Sequence, residues 1–436
     1  MRMRQALASL VLLAGCTQTS DEPAAAPDVV APDFLVTRLG GTTSAREFRG
    51  RPFNQSARSL SNVEFRRFGE GALSFDDRVT PEGGLGPTFN ENSCLGCHLD
   101  GVDTVVRDER EPGPGLILRL SVAGTAEHGG QVPEPTYGFQ LQTRAIEGAV
   151  REGELTVDWK LEAGTYPDGD RYELRTPTFR VSELSDGPLA KDLLTSARIA
   201  PPMTGMGLLE AIAETDIVAA ADPDDADGDG ISGRVNRVWD NDAGATALGR
   251  FGWKAGQPTV RQQSVAALRE DMGVTLDEIP DTVLADQVFY NRTIAVPIAR
   301  NVDDDAVKRG ANSFVTVGCS SCHTTTQRSG PDEVAGLAGQ TFHPFTDLLL
   351  HDMGRGLADG RPEFEAGGTE WRTAPLWALG RRAEVTGFST FLHDGRARTI
   401  EEAVLWHGGE AAAARERFMA LSRQQRRDVL SFLGAL

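Results

Sequence analysis

ENSCLGCHLD, residues 91–100, places Cys94 and Cys97 two residues apart, with His98 directly after the second cysteine. TVGCSSCHTT, residues 316–325, repeats the pattern with Cys319, Cys322 and His323. Three chemistries use such a motif. Zinc can take the thiolates of two Cys-x-x-Cys knuckles. A dithiol redox pair needs one motif, normally at a helix start. A c-type haem uses both thiols as thioether tethers and the next histidine as axial ligand. Both sulfurs must then reach one porphyrin while the imidazole sits beneath its centre, which one helical turn begun at the first cysteine achieves. Only the haem reading uses the histidine, and the histidine is present twice. The expected cofactors are two covalently bound haem c groups, with His98 and His323 as proximal iron ligands.

The fifth and last cysteine, Cys16, closes MRMRQALASLVLLAGC. Arg2 and Arg4 precede an apolar run from Ala6 to Leu13, the pattern of a secretory signal and too short for an ordinary membrane span. The ending Leu13-Ala14-Gly15-Cys16 resembles the bacterial lipobox, whose cysteine is acylated. A lipid on Cys16 would anchor the chain to a membrane without spanning it. Residues 17–45 are expected to form a flexible tether, being rich in proline, alanine and acid at their start. The expected location is the bacterial periplasm, on the outer rather than the inner membrane. No cysteine remains for a structural disulfide.

Sixty-three acidic against 44 basic residues give a net charge of −19, which repels phosphate backbones and argues against a nucleic-acid partner. The 436 residues suffice for more than one core. Helical patterning covers 57–75 before the first motif and 206–220, 260–272, 280–295 and 303–315 between the motifs. Two helices close the chain, the last with Ser422 and Gln425 as a capping box. Residues 115–180 alternate apolar and polar residues between Gly, Pro and Asp, as strands and hairpins do. Arg-x-Ala-Pro occurs after each haem motif, at 198–201 and 372–375. The expected fold is mainly α, with two cytochrome c-like haem lobes. Residues 46–295 form the first, with a strand-rich insert at about 115–180, and residues 296–436 the second.

DADGDGISGRVN places Asp225, Asp227, Asp229 and Gly230 at the spacing of the first half of an EF-hand loop. Calcium is therefore a candidate ligand, although Asn236 replaces the usual bidentate glutamate.

The ordered set of LSFDDR (73–78), RIAPPMTGMGLLEAI (198–212), DPDDADGDGISGRVN (222–236), GRFGWKAGQP (249–258), DLLLHDMGRGLADG (347–360) and FLHDGRARTIEEAVLWHGGEA (391–411) resembles one family. It is the di-haem oxidoreductase branch of the bacterial di-haem cytochrome c peroxidase and MauG superfamily, and the likeness runs from about residue 40 to the end. The resemblance implies a peroxidase-like enzyme. Peroxide or O2 would meet the first haem, and electrons from a small redox protein or quinol-linked cytochrome would pass through the second. The alternatives are a non-catalytic periplasmic electron-transfer cytochrome and a MauG-like oxidase of a partner protein.

The resemblance also implies roles for single residues. His407 stands where relatives place the distal ligand of the second haem, with Met353 as rival. Glu210 is the candidate acid–base group at the first haem, for which no distal ligand is evident. Trp253 and Lys254 could line the first haem or the path between haems. His351, Arg372, His393 and Arg396 are candidates for holding propionates.

Overall fold

The computed structural model describes residues 29–45, 53–99, 113, 115–387 and 389–436. Cys16 and the expected signal segment lie outside the described residues. Among the described residues no helix is long and apolar enough to cross a membrane.

Two crossed helix pairs organise the chain. In the first half, α1 (Asn62–Asp76) packs on α6 (Asp281–Thr293). Ser61 caps α1 in a reciprocal box with Glu64, which satisfies two orphan donors at the helix start. The helices approach closely because residue 71 is glycine: a β-carbon there would collide with the Asp286 carbonyl. In the second half, α7 (Asp305–Thr316) packs on α11 (Arg423–Ala435), and a β-carbon at Gly310 would strike the Asp428 carbonyl. Val307, Gly310, Ala311 and Phe314 are the buried stripe of α7, at helical spacing. Ser422 and Gln425 form the expected capping box of α11.

Between these pairs lie the short helices α2 (Cys94–Cys97), α3 (Met206–Glu210), α4 (Glu214–Ala219) and α5 (Val260–Ala266), and later α8 (Arg382–Thr386), α9 (Ile400–Trp406) and α10 (Ala412–Ala420). A five-residue π turn, Ala267–Asp271, continues α5.

The strands form antiparallel pairs. The pair β1 (Thr88–Phe89) and β3 (Arg144–Ala145) is short, whereas β2 (Leu116–Val122) pairs along its length with β6 (Leu193–Ile199). A long hairpin joins β4 (Glu154–Thr165) to β5 (Arg171–Ser182). Further on, β7 (Arg237–Asp240) pairs with β8 (Ala245–Leu248), β9 (Gln327–Arg328) with β10 (Thr341–Phe342), and β11 (Leu350–Asp352) with β12 (Glu370–Arg372). The insert has its own small core of Leu116, Leu118, Leu120, Tyr137, Leu141 and Leu155.

Two expectations need correction. Strands are not confined to the insert, since β6 to β12 lie beyond it, so helices carry the main packing without making the chain simply α. The tether also ends earlier than residue 45. Phe34, Leu35 and Leu39 are buried, and Phe34 sits edge-on to Phe345 and Phe432 at 5.8 and 6.2 Å. The backbone N–H of His343 donates to the Leu39 carbonyl, and that of Ala45 to the Val296 carbonyl. Three apolar side chains in an otherwise polar, proline-rich stretch gain more from burial than the segment loses in freedom.

Candidate functional site

Ser93 caps α2 by accepting the Gly96 N–H at 3.2 Å, so Cys94 and Cys97 sit on a single helical turn and His98 leaves it. His98 is backed by Phe75, with ring centres 6.2 Å apart. Burial pushes its imidazole down to about 4, so it is neutral near pH 7. Its Nδ1 is buried, and the Pro201 backbone opposes that downward shift. A neutral imidazole beside a backbone acceptor suits metal ligation.

A cavity of about 500 Å3 opens beside this turn, within the rough 300–1,000 Å3 span of ligand pockets. Cys94, Cys97 and His98 line it, with Met203, Trp253 and Asp271 among the other walls. Both Arg-x-Ala-Pro segments reach this one cavity. Arg198 pairs with Glu363 of the other half at 2.7 Å, and Arg372 donates to the Gly252 carbonyl at 3.0 Å.

The second motif is built differently. His323 Nδ1 is 2.8 Å from the Phe345 carbonyl, and His407 Nδ1 is 2.7 Å from the Ala403 carbonyl. Each contact holds the proton on Nδ1 and leaves Nε2 as a lone-pair donor. Burial pushes His323 down to about 4 and lowers His407 as well. The two rings stand 6.4 Å apart, centre to centre, at 45°. Two imidazoles bound to one metal at roughly 2 Å from each nitrogen would have that separation. The structure therefore brings His323 and His407 together as a ligand pair would be.

The thiols do not suit the rival chemistries. Burial pushes Cys94 and Cys319 up to about 12 and raises Cys97 and Cys322. A reactive dithiol needs a depressed pKa. Among the described residues the one cluster of three potential metal-binding side chains is Asp222, Asp225 and Asp227, which contains no cysteine. Partly buried thiols beside a neutral imidazole and a cofactor-sized cavity fit a tethered haem at the first motif.

Several expected roles are not met. Glu210 does not line the cavity. One of its oxygens accepts the Val260 N–H at 2.7 Å and the other the Arg292 guanidinium at 2.5 Å. Helix α3 turns Leu208 and Leu209 into the core, which aims Glu210 at Arg292 instead. Lys254 is wholly buried and faces away from the cavity, donating to Asp359 and to the carbonyls of Arg361 and Gly367. Trp253 does line it, with its indole N–H on the Ile199 carbonyl at 2.7 Å.

The proposed propionate partners are occupied elsewhere. His351 lies between Asp347 and Glu410, at 2.9 and 2.7 Å. His393 stacks on Trp371 with ring centres 3.7 Å apart. Arg396 is gripped by Asp394 at 2.7 Å. Arg372 lines the cavity of the first motif. In the acidic loop, Asp229 is replaced by Asp222 in the cluster, while Asn236 is buried and bonded to the carbonyls of Lys254 and Glu363. An EF-hand closed by Asn236 is thereby excluded.

Sequence reasoning passed over Asp271. This carboxyl lines the cavity and is partly buried, with the Gln140 side chain beside it. Arg119 approaches Oδ1 at 3.6 Å. Burial raises its pKa, with Arg119 acting in opposition. The π turn that presents it leaves no mark in the local sequence pattern, although such turns gather at functional sites. His128 also lines the cavity, half-exposed and stacked on Trp239 with ring centres 3.8 Å apart.

The family model described as "Di-haem oxidoreductase, putative peroxidase" matches residues 35–286 and 277–436, and the chain belongs to that family. No curated protein matches it. Among solved structures, a chain of Kuenenia stuttgartiensis hydrazine synthase, pressurised with 20 bar xenon, is 14% identical and is matched over 99% of this chain and all of that one. The TM-score is 0.37, too loose a likeness to bear on fold or reaction.

Proposed function

We propose that this di-haem oxidoreductase is a c-type, peroxidase-like enzyme of two cytochrome-like lobes, divided near residue 295. Peroxide, or O2, enters the cavity beside His98, and electrons arrive through the second lobe. Cys94 and Cys97 would tether the first haem and Cys319 and Cys322 the second, with His98 and His323 as proximal ligands and His407 completing the second site. The haems, when bound, supply one-electron chemistry. Reduction of one peroxide to two waters consumes two electrons and two protons, the electrons coming from a small redox donor protein.

One observation carries this reading. The second site pairs His323 with His407 at 6.4 Å, whereas the first couples a neutral His98 to an open cavity. A pure electron carrier gains from two closed sites, and an enzyme needs one that substrate can enter. Asp271 is the group placed to hold and release a proton inside that cavity. Its raised pKa brings it closer to working pH, where acid–base catalysis is most effective. Arg372, whose guanidinium donates to the Gly252 and Thr373 carbonyls, gives the cavity a cationic group suited to a propionate. Haem attachment outside the cytoplasm, with a lipobox-like Cys16, supports a periplasmic, lipid-anchored protein.

Visible and EPR spectra with peroxide turnover test the proposal. One haem should be high-spin or exchangeable in at least one redox state, and peroxide should be consumed at the expense of an added reductant. Two irons that stay low-spin and six-coordinate in every redox state, with no response to peroxide, would sink it.

A further inference from the structure

The two halves repeat one segment without a gap. Phe251 and Phe391 each open it with an isolated antiparallel bridge, to Gln257 and Ala397. One and four residues on, the backbone turns left-handed in both copies. Gly252 and Ala255 have φ of 77° and 51°, and Leu392 and Gly395 have 68° and 72°. Left-handed alanine and leucine are costly, so their shared placement marks a common chain path rather than a common composition. Thr259 and Thr399 then cap α5 and α9. Each hydroxyl accepts the N–H three residues on, from Gln262 at 3.1 Å and Glu402 at 3.0 Å. Both helices are seven residues long. The residue that follows is Ala267 in the first copy and His407 in the second.

We infer that Ala267 occupies, in the first lobe, the position from which the second lobe supplies its sixth iron ligand. Ala267 lines the cavity that His98 lines. After α9 the chain leaves the helix at His407, with φ −60° and ψ 128°. After α5 it does not leave but continues through the π turn to Asp271. The first lobe therefore replaces the imidazole by a methyl group and, one turn on, adds Glu270 and Asp271 to the cavity wall. The space vacated is that of one imidazole, which selects small ligands. On the function proposed above, these are peroxide or dioxygen, with Asp271 within the same wall.

The test uses the full-length, haem-loaded protein. Ala267→His should convert the first haem from high-spin to low-spin in EPR and visible spectra, and should weaken cyanide binding by about 100-fold through internal competition. Ala267→Met should convert it likewise and serves if the histidine variant does not accumulate. Ala266→His, a third of a turn away, should leave the spin state unchanged. Unaltered spectra and cyanide affinity in folded Ala267→His and Ala267→Met would overturn the assignment, as would equal conversion by Ala266→His. If the wild-type protein reduced no peroxide while Ala267→His still converted the haem, the reaction would fall and the position of Ala267 would stand.

Discussion

Arg198 and Glu363 meet at 2.7 Å across the two halves of the chain, with the arginine side chain 8% and the glutamate 13% exposed. The pair does not stand alone. Arg361 lies 3.3 Å from Glu363, and Lys254 lies 2.8 Å from Asp359. Burial alone would raise the Glu363 carboxyl, but Arg198, Arg361 and Arg119 outweigh it and hold it near 2. Arg119, Arg198, Arg361 and Glu363 line the cavity, so the ion cluster that joins the halves also shapes the site.

Glu363→Gln should therefore destabilise the holoprotein by about 3–5 kcal/mol at pH 7, because two buried arginines lose their counter-charge. The pH dependence has a definite sign. The folded value lies below an unfolded value of about 4.3, so the unfolded chain binds the proton more readily. The contribution of Glu363 is complete above about pH 4.3 and is lost as pH falls toward 2. Denaturant unfolding of wild type and variant at pH 7 and pH 3 checks this. The gap between them should narrow at the lower pH, and a constant gap would show that the carboxylate charge is not responsible.

Asp271→Asn should slow peroxide reduction by about 10²-fold or more if its carboxyl handles the proton, with both haem spectra retained. Glu210→Gln should change turnover only a few-fold, since Glu210 is committed to Val260 and Arg292. It should instead lower stability, because Arg292 then keeps only Asp332, at 2.7 Å, and the exposed Glu333. Stopped-flow reduction with equal haem loading separates the two. A severe loss in Glu210→Gln with Asp271→Asn unaffected would reverse the assignment.

What was legible in the sequence was local. Cys94, Cys97 and His98 declare themselves by spacing, and the cap at Ser422 depends on residues three apart. The direction in which a helix points a side chain is not local, and here the reading went astray. Glu210 and Asp271 are both acids near helix ends. Only the packing of Leu208 and Leu209 aims the first away from the cavity, and only the π turn brings the second into it. The equivalence of Ala267 and His407 was hidden for a related reason. The left-handed positions that reveal it are glycine in one copy and leucine or alanine in the other, so backbone path repeats where residue type does not.

His407→Ala should convert one low-spin haem to high-spin and leave a second site able to bind cyanide. His407 is partly buried, and the Ala403 carbonyl fixes its ring 6.4 Å from that of His323. His351, whose Nδ1 lies 3.7 Å from the Cys322 sulfur, is fixed between two carboxylates that push it up to about 12, so it is protonated and offers no lone pair. EPR of the oxidised protein reads the outcome directly. An unchanged spectrum would remove His407 as ligand.

The hairpin of β4 and β5 belongs to the first half of the chain, yet its tip is held by the second. Tyr166 donates its hydroxyl to Glu401 of α9 at 2.7 Å, and Arg426 of α11 reaches Asp168 and Asp170 at 2.9 and 2.8 Å. The Arg426 guanidinium also covers the Tyr166 ring at 3.9 Å. The hairpin thereby clasps the helix that ends in His407. Arg426→Ala should free the tip, raising deuterium uptake across residues 159–176 and costing about 1.5–3 kcal/mol, since Asp168 is partly exposed and Asp170 keeps Arg423. Tyr166→Phe, which removes one hydrogen bond, should cost about 1 kcal/mol. If α9 depends on the clasp, Arg426→Ala should also raise deuterium uptake across residues 400–407, where Tyr166→Phe has little effect. Protection of α9 that is identical in all three proteins would confine the hairpin to a role in holding the two halves together.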